Sequence, residues 1–323
     1  MLSRSMFGSL FISLISAGCQ QQSIIQEECL DRSYVHPYGL EVEADHWVQC
    51  GRNGQVVSFL QDGSRITQNY ADGMLEGESS YTFPYSSQIQ CVENYWHDKL
   101  LSQTTYDASG MPQHAIVNSD DEIRTITTWY PSGSPKSVEK YDRHLLVTGD
   151  YYTPNNQRDS WVYDGQGERI TRDYVGNCIS LDTYKCGELV LKTLFYPNGH
   201  PMEIAPYMDG MLHGERKTYY DNGEPKAFES WSLGQQNGTT VIFQNGEKYS
   251  ELPYLAGKKN GLETRYRDGS VVTQEITWLD DQMHGPTFTH TGNNETMLCD
   301  WFYKGRLTSQ SNYESFNLPK PKN

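Results

Sequence analysis

Five glycines, at 199, 223, 246, 269 and 292, stand 24, 23, 23 and 23 residues apart. Each follows an aromatic by three or four residues: Tyr196, Tyr220, Phe243, Tyr266 and Phe288. A second series, Gly214, Gly238, Gly261 and Gly285, keeps the same beat. Two series locked to one period mean a tandem repeat, and periods of about 20–50 residues signal arrays of stacked supersecondary units.

One unit spans 207–231, YMDGMLHGERKTYYDNGEPKAFESW, and holds two kinds of turn signal. Asp221-Asn222-Gly223 is a two-residue hairpin signal, because a type I′ turn needs φ > 0 at both central residues. By the same argument Asn222-Gly223, Asn245-Gly246 and Asp268-Gly269 are expected at positive φ. Asp209-Gly210 through His213-Gly214 reads as a wider loop between strand-length runs such as Glu215–Tyr220. The fold class expected is therefore all-β: an extended antiparallel meander of hairpins of about 23 residues, two strands each.

Aromatics recur eleven residues apart across these turns, from Tyr196 to Tyr207, Tyr220 to Trp231 and Phe243 to Tyr254. The interval returns earlier, at Phe59–Tyr70, Tyr95–Tyr106, Tyr130–Tyr141 and Tyr163–Tyr174, so the repeat extends over most of the chain. A buried aromatic hides about 150–250 Å², or about 4–6 kcal/mol at about 25 cal/mol/Å². Ordering one residue costs about 1–2 kcal/mol of backbone entropy. A lone unit cannot break even, so units must stack on their neighbours. Tyr220, Trp231, Phe243, Tyr254, Tyr266 and Trp278 are the periodic candidates for a binding ladder, and stacking is their first duty.

The string YMDGMLHGERKTYYDNG (207–223), with YLAGKKNGLETRYRDG (254–269) and WLDDQMHGPTFTHTG (278–292), resembles the MORN repeat. More narrowly it is similar to the bacterial YwqK-type variant. His-Gly stands at 213–214 and 284–285 and becomes Asn-Gly at 237–238 and 260–261. The resemblance implies extended sheets of hairpins that serve as interaction or scaffolding modules. Residues 106–116 and 161–177 also resemble the Tyr-Asp repeats of Rhs-type shells, which are β-hairpin arrays too.

The N-terminus sets the expected compartment. Arg4, the apolar stretch 6–15 and Ser16-Ala17-Gly18-Cys19 follow the three-part layout of an export signal. Small residues before Cys19 and the polar run after it resemble a bacterial lipobox, which implies acylation of Cys19 and a membrane anchor. Ser16 departs from the Leu usual three places before such a cysteine. The organisation expected is a signal peptide at 1–18, a spacer at 19–50, divergent repeats at 51–190, regular repeats at 191–305 and a polar tail at 306–323. With Cys19 acylated, Cys29, Cys50, Cys91, Cys178, Cys186 and Cys299 permit up to three disulfides in an exported chain. Cys178 and Cys186 suggest a local closure.

The chain carries 41 acidic and 26 basic residues, a net charge of −15. That balance disfavours nucleic acid and anionic lipid headgroups, which attract basic patches. Phosphate-loop, dinucleotide, metalloprotease and nucleophile-elbow motifs are absent from the sequence. Asp120-Asp121-Glu122 and Asp280-Asp281 lack the alternating spacing of a calcium loop, and the nine histidines are scattered. No enzyme activity, cofactor or metal is expected. The function expected is a non-enzymatic, lipid-anchored protein of the bacterial cell envelope, at the outer membrane, whose array binds an envelope or host protein. Cell-wall or carbohydrate binding is the alternative class, with an antitoxin-like or Rhs-type repeat protein behind it.

Overall fold

The computed structural model describes residues 29–119, 122–291 and 296–317. The signal segment, Cys19, Asp120, Asp121 and Gly292 lie outside the described residues. Two compact units divide the chain, Met1–Asp121 and Glu122–Asn323. The boundary thus falls within the divergent repeats of the sequence, and both units are built the same way.

In the first unit the order is β1 (Cys29–Val35), β2 (Glu41–Val42), α1 (Ala44–Gln49), β3 (Gly54–Leu60) and β4 (Arg65–Ala71). It continues with β5 (Met74–Thr82), β6 (Ile89–Trp96), β7 (Lys99–Tyr106) and β8 (Pro112–Asn118). The second unit opens with β9 (Ile123–Trp129), β10 (Pro135–Asp142), β11 (Leu145–Tyr152), β12 (Arg158–Tyr163) and β13 (Gln166–Arg172). Next come β14 (Cys178–Lys185), β15 (Glu188–Phe195), β16 (Pro201–Met208), β17 (Met211–Leu212), β18 (Gly214–Tyr219) and β19 (Pro225–Ser232). Then follow β20 (Gln235–Gln236), β21 (Gly238–Gln244), β22 (Glu247–Leu255), β23 (Lys258–Lys259) and β24 (Gly261–Arg267). The last elements are β25 (Val271–Leu279), β26 (Gln282–Thr291), β27 (Thr296–Tyr303), β28 (Arg306–Thr308) and α2 (Gln310–Asn317). All recorded pairings are antiparallel, so the expected all-β meander is the fold observed.

Turns alternate between two rims; at 209–210 and 221–223 their assignment is the reverse of that expected, while Asn245-Gly246 is a two-residue turn as expected. Asp209-Gly210 is the two-residue turn: Met208 pairs directly with Met211, and both central residues have positive φ. Leu233-Gly234, Ala256-Gly257, Asp164-Gly165 and Asp72-Gly73 repeat that tight rim. Asp221-Asn222-Gly223 is a three-residue loop on the broad rim, closed by Tyr220 N–H to Glu224 O (2.9 Å), with only Gly223 at positive φ. Asn222 stays out of the left-handed region because its Oδ1 accepts from Glu224 N–H at 2.9 Å, an Asx-type contact. The same closure recurs at Tyr196–His200, Tyr130–Ser134, Asp107–Met111 and Leu60–Ser64. The beat therefore runs from the first unit onward, although residues 51–190 show it weakly in sequence. Asn245-Gly246 and Asp268-Gly269 do have positive φ at both residues, as expected.

Hairpins across the broad rim pair along their whole length with one irregularity beside the loop: β18 and β19 match from Gly214–Trp231 to Tyr219–Pro225, with a register shift between Thr218 and Tyr219. Seams across the tight rim are interrupted. β16 makes two pairs with β17, then His213 bulges, and only Glu203–Thr218 and Ile204–Lys217 continue with β18. At the bulge His213 N–H donates to Pro206 O (3.0 Å), and Asn260 N–H donates to Pro253 O likewise. Proline is excluded from central strands because it has no ladder donor, and a bulge is where that is tolerated.

Gly214, Gly238, Gly261 and Gly285 close these bulges at φ between +107° and +116°. Trp231, Tyr254, Trp278 and Phe302 stand opposite them. One geometric need thus explains both sequence series: the bulge demands glycine, and an aromatic on the next strand covers it.

Each unit has a buried and an exposed sheet face. The buried face carries Ser58, Ser79 and Glu93 in the first unit, and Leu146, Tyr151, Val162, Tyr184, Ala205, Leu252 and Ile276 in the second. Helices cap the array: Trp47 of α1 packs 5.5 Å from Tyr34, and Tyr313 of α2 packs on Trp301 and His284. Terminal units need such caps because their outer side has no further repeat.

The six described cysteines are free. Cys178 starts β14 and Cys186 follows its last residue. Eight extended residues separate them by about 26 Å, against about 7 Å at most for a bridge. The local closure suggested by the sequence is thereby excluded.

Candidate binding surface

On the broad rim, consecutive loops are fastened to one another by their own side chains. Tyr196 O–H donates to Tyr219 O (2.9 Å) and Asn198 Nδ2 to Asp221 O (2.6 Å). His200 Nδ1 also lies 2.9 Å from Asp221 O, which places a proton on that nitrogen. Three loops earlier on this rim, Tyr130 O–H donates to Tyr152 O (2.8 Å). Tyr130 and Tyr196, which open their loops, are therefore spacers between repeats.

A groove of about 480 Å³ lies between two such loops, lined by Tyr196, Pro197, Asn198, Tyr220 and Asp221. Tyr220 is 39% exposed, and Lys226 Nζ stands 5.7 Å from its ring centroid. A second groove, of about 470 Å³, lies further along the rim between 244–249 and 266–269. In it Lys248 Nζ lies 4.0 Å from the Tyr266 ring centroid and 3.0 Å from Glu251 Oε1. Glu251 Oε2 accepts from Tyr266 O–H at 2.8 Å. These bonds to Lys248 and Tyr266 hold the Glu251 carboxyl below its usual range.

The six candidate aromatics do not form one ladder. Trp231, Tyr254 and Trp278 are half-buried over the bulge glycines. Trp231 Nε1 donates to Glu229 Oε2 (3.0 Å), and Trp278 Nε1 to Glu263 Oε2 (2.8 Å). Phe243 stacks 4.8 Å from Phe228, and Tyr266 is held as described. Only Tyr220 presents an exposed ring. Among the glycines, Gly199, Gly223 and Gly269 serve three-residue broad-rim loops, Gly246 serves a two-residue turn there, and the other four close bulges.

The histidines of the His-Gly turns fasten neighbouring turns together. Leu233 N–H donates to His213 Nδ1 (3.4 Å) and Lys304 N–H to His284 Nδ1 (3.3 Å), fastening one tight turn to the next. Asp281 does the same with its carboxylate, accepting from Lys259 N–H at 2.8 Å.

Sequence inspection missed a row of carboxylates on the buried face. Glu93 is 2% exposed and accepts from Tyr81 and Tyr95 hydroxyls (2.7 and 2.8 Å) and from Gln103 Nε2 (2.8 Å). Burial, reinforced by Glu93, holds both tyrosines above their usual range and pushes the Cys91 thiol up to about 12. Glu139 is held likewise by Tyr141 and Tyr151, and Glu203 and Glu229 by Arg216 between them. A signal was present: Glu stands two residues before the aromatic in Glu93–Tyr95, Glu139–Tyr141 and Glu229–Trp231.

The family described as MORN repeat variant matches residues 212–227, from the end of β17 through β18 into β19. Over that stretch the chain is similar to a MORN repeat variant, and the match spans the Gly214 bulge and the Gly223 loop. No curated protein matches the chain. Among solved structures it is similar to a porin-like protein from Bacteroides uniformis, at 10% identity and a TM-score of 0.18. That similarity covers 83% of this chain and 92% of the other.

Proposed function

We propose that this chain is a non-enzymatic, lipid-anchored interaction module of the bacterial envelope, engaging a protein partner through its broad rim. The observation that carries this reading is the groove between Tyr196 and Tyr220, where one exposed tyrosine sits on loops locked to each other. A preorganised ridge of this kind gives a partner aromatic contact at little ordering cost, and exposed Tyr anchors are frequent carriers of interface energy. The buried carboxylates are engaged in holding strands together, so they support the array rather than chemistry.

Tyr220 separates binding from stability. Tyr220→Ala is expected to leave the stability of the full chain within about 0.5 kcal/mol of wild type, as exposed substitutions do. Trp231→Ala is expected to lower stability by about 3–5 kcal/mol. A crosslinking pull-down from native membranes should then recover its partner with wild type and lose it with Tyr220→Ala. Equal capture by both proteins would remove the groove from the interface. If instead a glycan array is bound by wild type and not by Tyr220→Ala, the wall-binding alternative replaces the protein partner.

The anchor rests on the sequence layout alone. Palmitate is expected to label wild type at Cys19, and Cys19→Ala should release the protein from membranes. An unlabelled wild type, or a variant equally membrane-bound, would reject the anchor while leaving the rim untouched.

A further inference from the structure

We propose that two copies of this chain join head to tail by strand addition, β1 of one copy lying along the open edge of β27 of the other. Among the described residues, β1 pairs with β3 along its length, but β2 reaches only Tyr34 and Val35. Residues 29–33 therefore have a neighbour on one side alone. At the other end β27 pairs with β26 throughout, while β28 reaches only Trp301, Phe302 and Tyr303. Residues 296–300 are left, among the described residues, with one neighbour. β2 and β28 thus cover the rim-side ends of these strands and leave five residues of open edge on each, along which alternate residues turn their backbone groups outward. On β1 the Arg32 N–H is held meanwhile by Asp31 Oδ1 at 2.9 Å, a contact that an added strand replaces. Such an edge is a template for another strand.

The two stretches match each other in length and in side chains. A bulge between Cys29 and Asp31 sets Leu30 out of the ladder, and Leu30 is 69% exposed. Leu298 is 57% exposed. An antiparallel register that sets Leu30 against Leu298 places Cys29 against Cys299, both of them free. Past the bulge Arg32 stands opposite buried Ser58, and Leu298 shares its face with Asp300, opposite buried Thr287. A groove of about 620 Å³, bordered by Cys299, Asp300, Leu307, Ser309 and Gln310, opens where β28 stops and gives an added strand room. Head and tail are different surfaces, so the contact is heterologous and propagates to longer assemblies or closes as a ring.

The test uses two preparations of the full chain, one in natural isotopes and one in nitrogen-15, mixed in equal amounts and treated with a short bismaleimide. Joined Cys29–Cys299 peptides are expected, with mixed-isotope pairs as abundant as the two pure forms together. Pure-isotope pairs alone would place the contact within one chain and overturn the proposal, as would the absence of that peptide pair. Leu298→Lys in both preparations is expected to lower the yield by at least about tenfold. Mixing a Leu298→Lys preparation with a Leu30→Glu preparation should restore it, because the new charges face each other in this register. Failure of that restoration would overturn the register and with it the proposed pairing.

Discussion

Gly261→Ala is expected to lower the stability of the full chain by about 2–4 kcal/mol. Gly257→Ala, four residues earlier in the same seam, should cost about 1–2 kcal/mol. Both glycines have positive φ, at +116° and +81°, so backbone strain alone does not separate them. Their surroundings do. A Cβ on Gly261 would sit 2.9 Å from Cγ of Pro253, inside the distance real Cβ atoms keep, and the proline ring cannot rotate aside. A Cβ on Gly257 meets nothing within 4 Å. Urea midpoints of the two variants decide the matter, with Pro253→Ala as the background that should return part of the Gly261→Ala loss. Equal losses for the two glycines, or no recovery in the alanine background, would show that the bulge is not the constraint.

That contrast also marks what could be read in the residues. The period, the two strands per unit and the glycines were legible because each repeat restates them, and a bulge or turn that needs glycine needs it every time. Which turn was tight was not legible. Asp-Asn-Gly scores as a hairpin signal by composition, yet Asn222 uses its side chain to hold Glu224 N–H, and the loop takes a third residue. The decisive feature was pairing register, Met208 against Met211, which no local signal reports. Pro206 and Pro253 were the overlooked clue, since a proline in mid-strand announces a bulge on its partner. The candidate aromatics were located by period but not by role. Period fixes position in the unit, whereas face and exposure depend on neighbours, and these leave only Tyr220 open. The buried carboxylates escaped because acidic residues are read as solvent-facing unless a partner is known. Their partners lie one to three strands away, as Arg169 does from Asp182 on the next strand and from Glu139 on the third.

Arg169→Leu is expected to cost about 3–5 kcal/mol, the usual loss when one member of a buried ion network is removed. Its guanidinium donates through Nε and Nη2 to Asp182 Oδ2 (3.1 and 2.7 Å) and through Nη1 to Glu139 Oε1 (3.3 Å). Asp182 is 1% exposed, and its Oδ1 already lacks a hydrogen-bond partner. Leucine would leave two buried carboxylates with hydroxyl donors on Glu139 alone, from Tyr141 and Tyr151. Burial without a cation favours the protonated acid in the folded chain more than in the unfolded one, so the variant's folded state binds protons more readily. By linkage its stability then rises as pH falls. The deficit against wild type should therefore be largest near about pH 8 and shrink toward about pH 5. Asp182→Asn combined with Arg169→Leu should cost less than Arg169→Leu alone, because the amide removes the stranded charge. Urea melts of the full chain at both pH values measure this, and a deficit independent of pH would mean that Arg169 acts through packing over the Tyr184 ring instead of through charge.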